Sequence, residues 1–395
     1  MRHLPRPDTA GLAGIPATPA FVYDEACILH ELGRFGRVRE QCGLKLLYSV
    51  KALPFAPLLE LLAPHLDGFA VSSPFEALLT AEAAPGSALH LTSPGLRAED
   101  MTMIGRLDAT VSFNSLSQYR RLRPLLPERG HWGLRVNPGF SFLDDPRYDP
   151  CRAYSKLGVP LAELEQALRD ASTWTGGLSG LHFHTAFETC DLAPLKTTLA
   201  RIESSLGDRL ERLKWLNLGG GYLCDSDEEL DELAQIASDL RGRWALEVFC
   251  EPGKALVGAA GYLVASVIDR FESDGKTVAV LDTSVNHHPA VFEYQMRPPL
   301  LNETADGACS AILAGGTCLS GDVFGEYRFE RPPEVGERMV FMQTGAYTLP
   351  KAHRFNGQNL PDIYSLDAAR TLTLRRRYSY AEYRRQWREG NGDVA

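Results

Sequence analysis

Long apolar runs are missing from this chain of 395 residues. No stretch approaches the roughly 18 apolar residues that a membrane-crossing helix needs. The opening segment MRHLPRPDTAGLAGIPATPA has no apolar core of the kind a secretory leader carries. Paired cysteines are missing too. The eight cysteines are scattered, with no CxxC and no His/Cys cluster, so neither a zinc site nor a disulfide framework is indicated. Reduced thiols and a cytoplasmic location are expected. Positive charge is in deficit: 41 Lys and Arg stand against 50 Asp and Glu, a net charge of −9. That balance argues against general nucleic-acid binding. The one basic stretch, TLRRRYSYAEYRRQWREG, reads as a solvated terminal helix rather than a binding arm. No membrane and no nucleic-acid partner is expected.

What is present describes an ordinary globular protein, 44% hydrophobic and 23% charged. Its length exceeds the roughly 250–300 residues at which one core stops growing, so two domains are expected. Short strand-like runs recur. LLYSV leads to Lys51, GFAVS to Ser72, ALHLTS to Ser93, ATVSFN to Asn114 and WGLR to Arg135, each 21 residues after the last. Helix-like segments lie between them. Strand, helix, strand at this interval means parallel strands joined by crossovers. Three further runs follow: LSGLHFH ending near His184, LKWLNL before Gly219-Gly220-Gly221, and ALEVFC before Glu251. Eight units fit an α/β protein of the (β/α)8 TIM-type barrel class, with polar or glycine-rich strand ends where such barrels place their sites. An open doubly wound sheet is the second choice.

After Gly253 the pattern changes to alternating apolar and polar residues, as in KTVAVLDTSV and ERMVFMQTGAYTL. This predicts a C-terminal antiparallel β-domain. The expected division is an N-terminal segment 1–25, partly a strand of the β-domain, a barrel over 26–264, and a β-domain with a basic helical tail over 265–395.

Lys51 stands at the mouth of a buried strand, so it either snorkels to solvent or is desolvated for chemistry. Four other features bear on that choice. Gly219, Gly220 and Gly221 form either a flexible turn or a cradle of N–H groups for a phosphate, with Gly253 and Lys254 as possible additions. Glu251 ends a buried strand and needs a partner, either a salt bridge or a protonated ring nitrogen. His182 and His184 share one face of a strand; one imidazole could stack on a flat cofactor, or the two could bind a metal. Carboxylates at ligand spacing are lacking nearby, so no metal is expected. GGTCLSGDVFGEY surrounds Cys318 and Asp322 with glycines, as a plain hairpin loop or as one that approaches a site closely. An aldehyde for Lys51, a phosphate for the glycines and an aromatic nitrogen for Glu251 are united in pyridoxal 5′-phosphate.

Taken together, YSVKA, HFH, NLGGGY, EPG, GGTCLSGD and GAYT resemble the fold-type III, alanine-racemase-like pyridoxal-phosphate decarboxylases. The branch most similar is that of the carboxynorspermidine/carboxyspermidine decarboxylases, through VSFNSLSQ, GLRVNP, YDPCRAYSKLGV, WLNLGGGY, TCLSGDVFGEY and FNGQNLP. The resemblance implies a cofactor-binding barrel, a β-domain and a homodimer with shared active sites acting on a small-molecule substrate. It implies that Lys51 bonds the cofactor aldehyde, His184 stacks on the ring and Glu251 holds the ring nitrogen. It gives the phosphate to Gly219, Gly220, Gly221, the backbone near Gly253, and Tyr347 of a partner subunit. Cys318 and Asp322 would also come from the partner subunit, Cys318 as the proton donor and Asp322 as a substrate contact, joined by Glu326 and Arg297. Two departures from the branch, Thr185-Ala186-Phe187 after the stacking histidine and Ala346 before the Tyr-Thr pair, suit another carboxylated amine, such as diaminopimelate or a siderophore or other specialised intermediate. An amino-acid racemase and a non-catalytic homologue are the remaining alternatives.

Overall fold

The computed structural model describes residues 11–12, 14–128, 130–170 and 177–388. The first ten residues of the expected N-terminal segment and the last seven of the expected tail lie outside them. The chain forms two compact units. One spans the described residues of His30–Leu256; the other joins the described residues up to Leu29 with those from Val257 onward.

The strands in chain order are β1 (Ala20–Asp24), β2 (Lys45–Ser49), β3 (Gly68–Val71), β4 (Ala88–Ser93), β5 (Thr110–Phe113), β6 (Trp132–Asn137), β7 (Val159–Pro160), β8 (Leu178–His182), β9 (Trp215–Asn217) and β10 (Glu247–Cys250). Strands β2 to β6 and β8 to β10 close into a ring in which β10 pairs with β2 and β5 with β6. Every pairing in it is parallel. This is the eight-stranded barrel that the sequence spacing predicts. The short β7 pairs in parallel with the C-terminal end of β6.

The repeat has a local cause. After β3, Ser73 Oγ accepts a hydrogen bond from Glu76 N while Ser72 N donates to Glu76 Oε2. After β5, Ser115 Oγ accepts from Gln118 N while Asn114 N donates to Gln118 Oε1. Each reciprocal cap starts the crossover helix directly beyond its strand. Within the barrel, the Trp215 indole lies over β6 and β8, where a Cβ at Gly133 or Gly180 would collide with it. His90 and Phe249, with ring centroids 4.6 Å apart, fill the same layer. It forms a packed floor, so the space for a ligand lies above it, at the strands' C-terminal ends.

The second unit contains β1, β11 (Gly261–Ser273), β12 (Lys276–Leu281), β13 (Cys309–Ala314), β14 (Val323–Phe329), β15 (Arg338–Met342), β16 (Asp362–Leu366) and β17 (Leu372–Arg376). Its sheet runs β14-β13-β12-β11-β1-β16-β17, with β15 also on β11. Most pairings are antiparallel, but β12–β13 and β1–β16 are parallel. Two apolar clusters support it, one around Leu281, Phe324, Tyr327 and Phe341, the other around Val22, Val264 and Tyr364. The basic tail is only partly helical. LTLRR pairs with β16 as β17, and the helix Tyr380–Trp387 begins after Ser379, which forms a capping box with Glu382. Alternating apolar and polar residues in LTL favour the strand there.

Candidate active site

A cavity of about 560 Å³ opens at the C-terminal end of the barrel unit, within the range of small-molecule sites. Lys51 lines it from a single 3₁₀ turn, Val50–Ala52, immediately after β2. Arg135 of β6, His182 and His184 at β8, and Glu251 after β10 line it as well. Burial pulls the Lys51 ammonium below the usual lysine range, and Glu251 opposes that pull. Burial likewise raises the Glu251 carboxyl, against the effects of Lys51, Asn217 and Arg135. A lysine that loses its proton readily is a nucleophile, which is what bonding an aldehyde requires.

Glu251 is anchored at one oxygen. Asn217 Nδ2 donates to its Oε1 at 2.8 Å, and the Glu251 amide donates to Gly219 O at 2.8 Å. Among the described residues Oε2 has no hydrogen-bond partner. The glycine triplet lies against its neighbours so closely that a Cβ at Gly219 would strike Phe183 O, one at Gly220 would strike Glu251 O, and one at Gly221 would strike Ala186 O. Gly219 and Gly221 also have φ of +68° and +95°, which favours glycine. The Gly220 amide donates to His184 Nδ1 at 3.1 Å, and the Gly219 amide to Asn217 Oδ1 at 2.9 Å. Two of the three N–H groups expected to cradle phosphate therefore hold side chains of the site. Gly253 packs on Ser49 and Ala52, and the Lys254 ammonium is paired with Glu188.

His182, His184 and Glu251 bring one ligand atom each within 4.8 Å of one another. The carboxylate that the sequence around His184 lacks is thus supplied by β10. The same three groups surround the cavity that a flat ring would enter. An acid for a ring nitrogen, an imidazole fixed by Gly220, and a desolvated amine fit pyridoxal phosphate as a set.

One wall was visible in sequence as part of a family motif, YDPCRAYSKLGV, but not as lining a site. It is the excursion between β6 and β7, which contributes Arg147, Tyr148, Asp149, Arg152 and Lys156. Asp149 shapes it by accepting bonds from Ser141 Oγ and Cys151 N. Asn114 Nδ2 holds its end through Lys156 O at 2.7 Å. Arg135 was visible as the polar end of WGLR and Asn217 as the first residue of NLGGGY, but neither was given a role.

The remaining expected site residues lie in the second unit. Cys318 is exposed, and its amide donates to Asn356 Oδ1. Tyr347 is half-buried with φ +60°. Asp322 is buried and accepts bonds from Val285 N, Thr317 N and Thr317 Oγ1. Its carboxylate also staples its own loop. Arg297 is paired with Glu303 and lies over the Tyr327 ring. Glu326 is paired with Lys276 and accepts from Ser310 Oγ.

A barrel with a desolvated lysine and a buried carboxylate at its mouth, joined to an antiparallel-rich sheet unit, defines a class of cofactor-dependent enzymes. Residues 20–345 match the family described as pyridoxal-dependent decarboxylase, C-terminal sheet domain, and the chain belongs to that family. It is 33% identical over 379 residues to carboxyaminopropylagmatine decarboxylase of Synechocystis sp., covering 94% of this chain and 96% of the relative. It is 29% identical over 381 residues to the carboxynorspermidine/carboxyspermidine decarboxylase of Campylobacter jejuni, covering 93% and 97%. The crystal structure of carboxynorspermidine decarboxylase from Campylobacter jejuni, complexed with norspermidine, superposes with a TM-score of 0.85 at 28% identity, over 93% of this chain and 99% of that one. Diaminopimelate decarboxylase from Helicobacter pylori shares the fold, with a TM-score of 0.81 at 20% identity over 94% and 97%. The protein is a fold-type III enzyme that uses pyridoxal phosphate for decarboxylation. Among the described residues no helix is long and apolar enough to cross a membrane.

Proposed function

We propose that the substrate is a carboxylated polyamine, converted to the polyamine and carbon dioxide in the cytoplasm. The observation that carries this reading is the desolvated Lys51 sharing a cavity with Glu251, in a chain whose curated relatives over nearly full length are named for carboxylated polyamines. When bound, pyridoxal phosphate supplies the aldehyde that takes the substrate amine and the ring that accepts the electron pair left by departing carbon dioxide.

The residues then have separate tasks. Lys51 Nζ would bond the cofactor aldehyde. Glu251 Oε2 would hold a proton at the ring nitrogen. His184, fixed through its Nδ1 by Gly220, covers one face of the ring. Gly221 and the backbone near Gly253 take the phosphate, with Gly219 and Gly220 shaping that edge. Arg135 offers a guanidinium to an anionic group beside Lys51.

The enzyme acts as a homodimer with shared sites. Cys318 Sγ of the second copy returns a proton to the substrate carbon, and Tyr347 of that copy reaches the phosphate. Asp322, Arg297 and Glu326 stay candidates for the substrate's distal end, and Asp322 also braces the loop that carries Cys318.

The test is a panel of carboxylated polyamines, diaminopimelate, ornithine and lysine, followed by carbon dioxide release and product analysis. Turnover of a carboxylated polyamine in preference to the others supports the reading; preference for diaminopimelate or ornithine overturns it. Mixing Lys51→Ala with Cys318→Ala protein tests the sharing, since only a shared site regains activity that neither variant has alone.

A further inference from the structure

Two side chains approach the same oxygen of Glu251, and only one bonds it. Asn217 holds Oε1 at 2.8 Å, while His182 Nε2 stands 3.7 Å from that atom. His182 is 2% exposed, and its Nε2 is buried without a hydrogen-bond partner. At the other end of the ring Nδ1 faces Thr92 Oγ1 at 3.5 Å. The position is not accidental to the fold. His182 is the last residue of β8, in register with Arg135 of β6 on one side and Asn217 of β9 on the other. Main-chain pairing on both flanks fixes where the imidazole lies.

The carboxylate in front of Nε2 favours the tautomer with the ring's single proton on that nitrogen, and Nδ1 then accepts from the Thr92 hydroxyl. Burial opposes a second proton, and so do the neighbouring charges of Arg135, His184 and Lys51. A neutral donor is what this place needs. It favours the ionised carboxylate without offering a competing cation, so the charge of Glu251 stays available to a ring nitrogen.

The geometry points to His182 as a positioning residue for the cofactor: a neutral N–H poised 3.7 Å from Oε1 of Glu251, which closes on that oxygen beside Asn217 when the cofactor binds, so that Oε2 is presented to the ring nitrogen. This rests on the reading that pyridoxal phosphate lies in this cavity with its nitrogen against Glu251.

The test titrates cofactor-free protein with pyridoxal phosphate, following visible absorbance and tryptophan fluorescence, for wild type, His182→Leu, His182→Gln and Glu251→Gln. Glutamine can place an N–H near the position of Nε2; leucine cannot. His182→Leu is expected to weaken cofactor binding about tenfold or more, as loss of a hydrogen bond to a charged group would. His182→Gln is expected to recover most of that loss, which a purely space-filling role would not produce. Nitrogen NMR of the wild-type imidazole, with and without cofactor, is expected to show the neutral Nε2–H form from pH 6 to 8. Equal losses in His182→Leu and His182→Gln, no loss in His182→Leu, or an Nδ1–H or charged ring overturns the inference. If the wild type takes no cofactor, the reading of the cavity fails instead. If Glu251→Gln weakens binding and His182→Leu does not, only the role of His182 fails.

Discussion

Phe187 lies nearly flat against Tyr148, with ring centroids 4.9 Å apart and planes 16° from parallel. Both rings line the cavity. The stack fastens the irregular wall between β6 and β7 to the segment that follows His184, and the Arg147 guanidinium lies 5.3 Å from the Tyr148 ring. Aromatic pairs of this kind add roughly 0.5–1.5 kcal/mol beyond the area they bury.

Removing the stack should loosen the wall more than it harms the chemistry. Phe187→Ala is expected to raise KM about tenfold with a smaller change in kcat, because the lysine and the carboxylate lie on other strands. Phe187→Leu should fall between the two. Limited proteolysis within 139–157 should become faster in parallel. An unchanged KM with unchanged proteolysis would show that the stack does not hold the wall.

Asp322 offers a sharper separation of structural and substrate roles. Its three accepted bonds, from Val285 N and from the amide and hydroxyl of Thr317, tie two loops of the second unit together. Asp322→Ala leaves the buried Val285 amide and the half-buried Thr317 amide unsatisfied and should destabilise the protein by about 1–3 kcal/mol. Thermal or chemical unfolding measures it. A residue that only touches substrate would leave unfolding unchanged and alter KM alone.

Acid should destabilise the protein through its buried histidines. Burial pushes His90 down to about 3 and His287 down to about 4, against about 6.5 in an unfolded chain. Between those values the unfolded chain binds protons that the folded one refuses, so stability is full above pH 6.5 and falls as pH drops towards 4. The expected slope is about 1.4 kcal/mol per pH unit for each histidine. Denaturant unfolding at pH 7, 6 and 5 reads it. His90→Leu, which keeps the contact with Phe249, should lower the slope by one proton's share. An unaltered slope would mean that His90 is already protonated in the folded state.

The barrel was legible because its strands keep a regular interval. Leu47 pairs with Gly68 and Val111 with Trp132, each 21 residues apart, and serine caps restart the helices between strands. Strand direction in the second unit was not legible, since alternation is the same in β12 and β13 whether they run parallel or not. Lys51, His184 and Glu251 could be found as reactive residues at strand ends. The partners of Glu251 could not. Asn217 and His182 meet it only because β8, β9 and β10 are adjacent in the closed ring. The wall at 139–157 has no periodicity, and its place depends on long-range contacts such as Asn114 with Lys156. The bonds of Asp322 to its own loop were not legible, because a carboxylate in a glycine-rich loop looks the same in sequence whether or not it holds its own backbone.

The most direct measurement is to load the protein with pyridoxal phosphate, reduce it with borohydride and map the peptides by mass spectrometry. The account predicts a single pyridoxyl group on the peptide that carries Lys51, absent from Lys51→Ala protein treated in the same way. A label on another lysine, or none on a protein that still releases carbon dioxide, would contradict it.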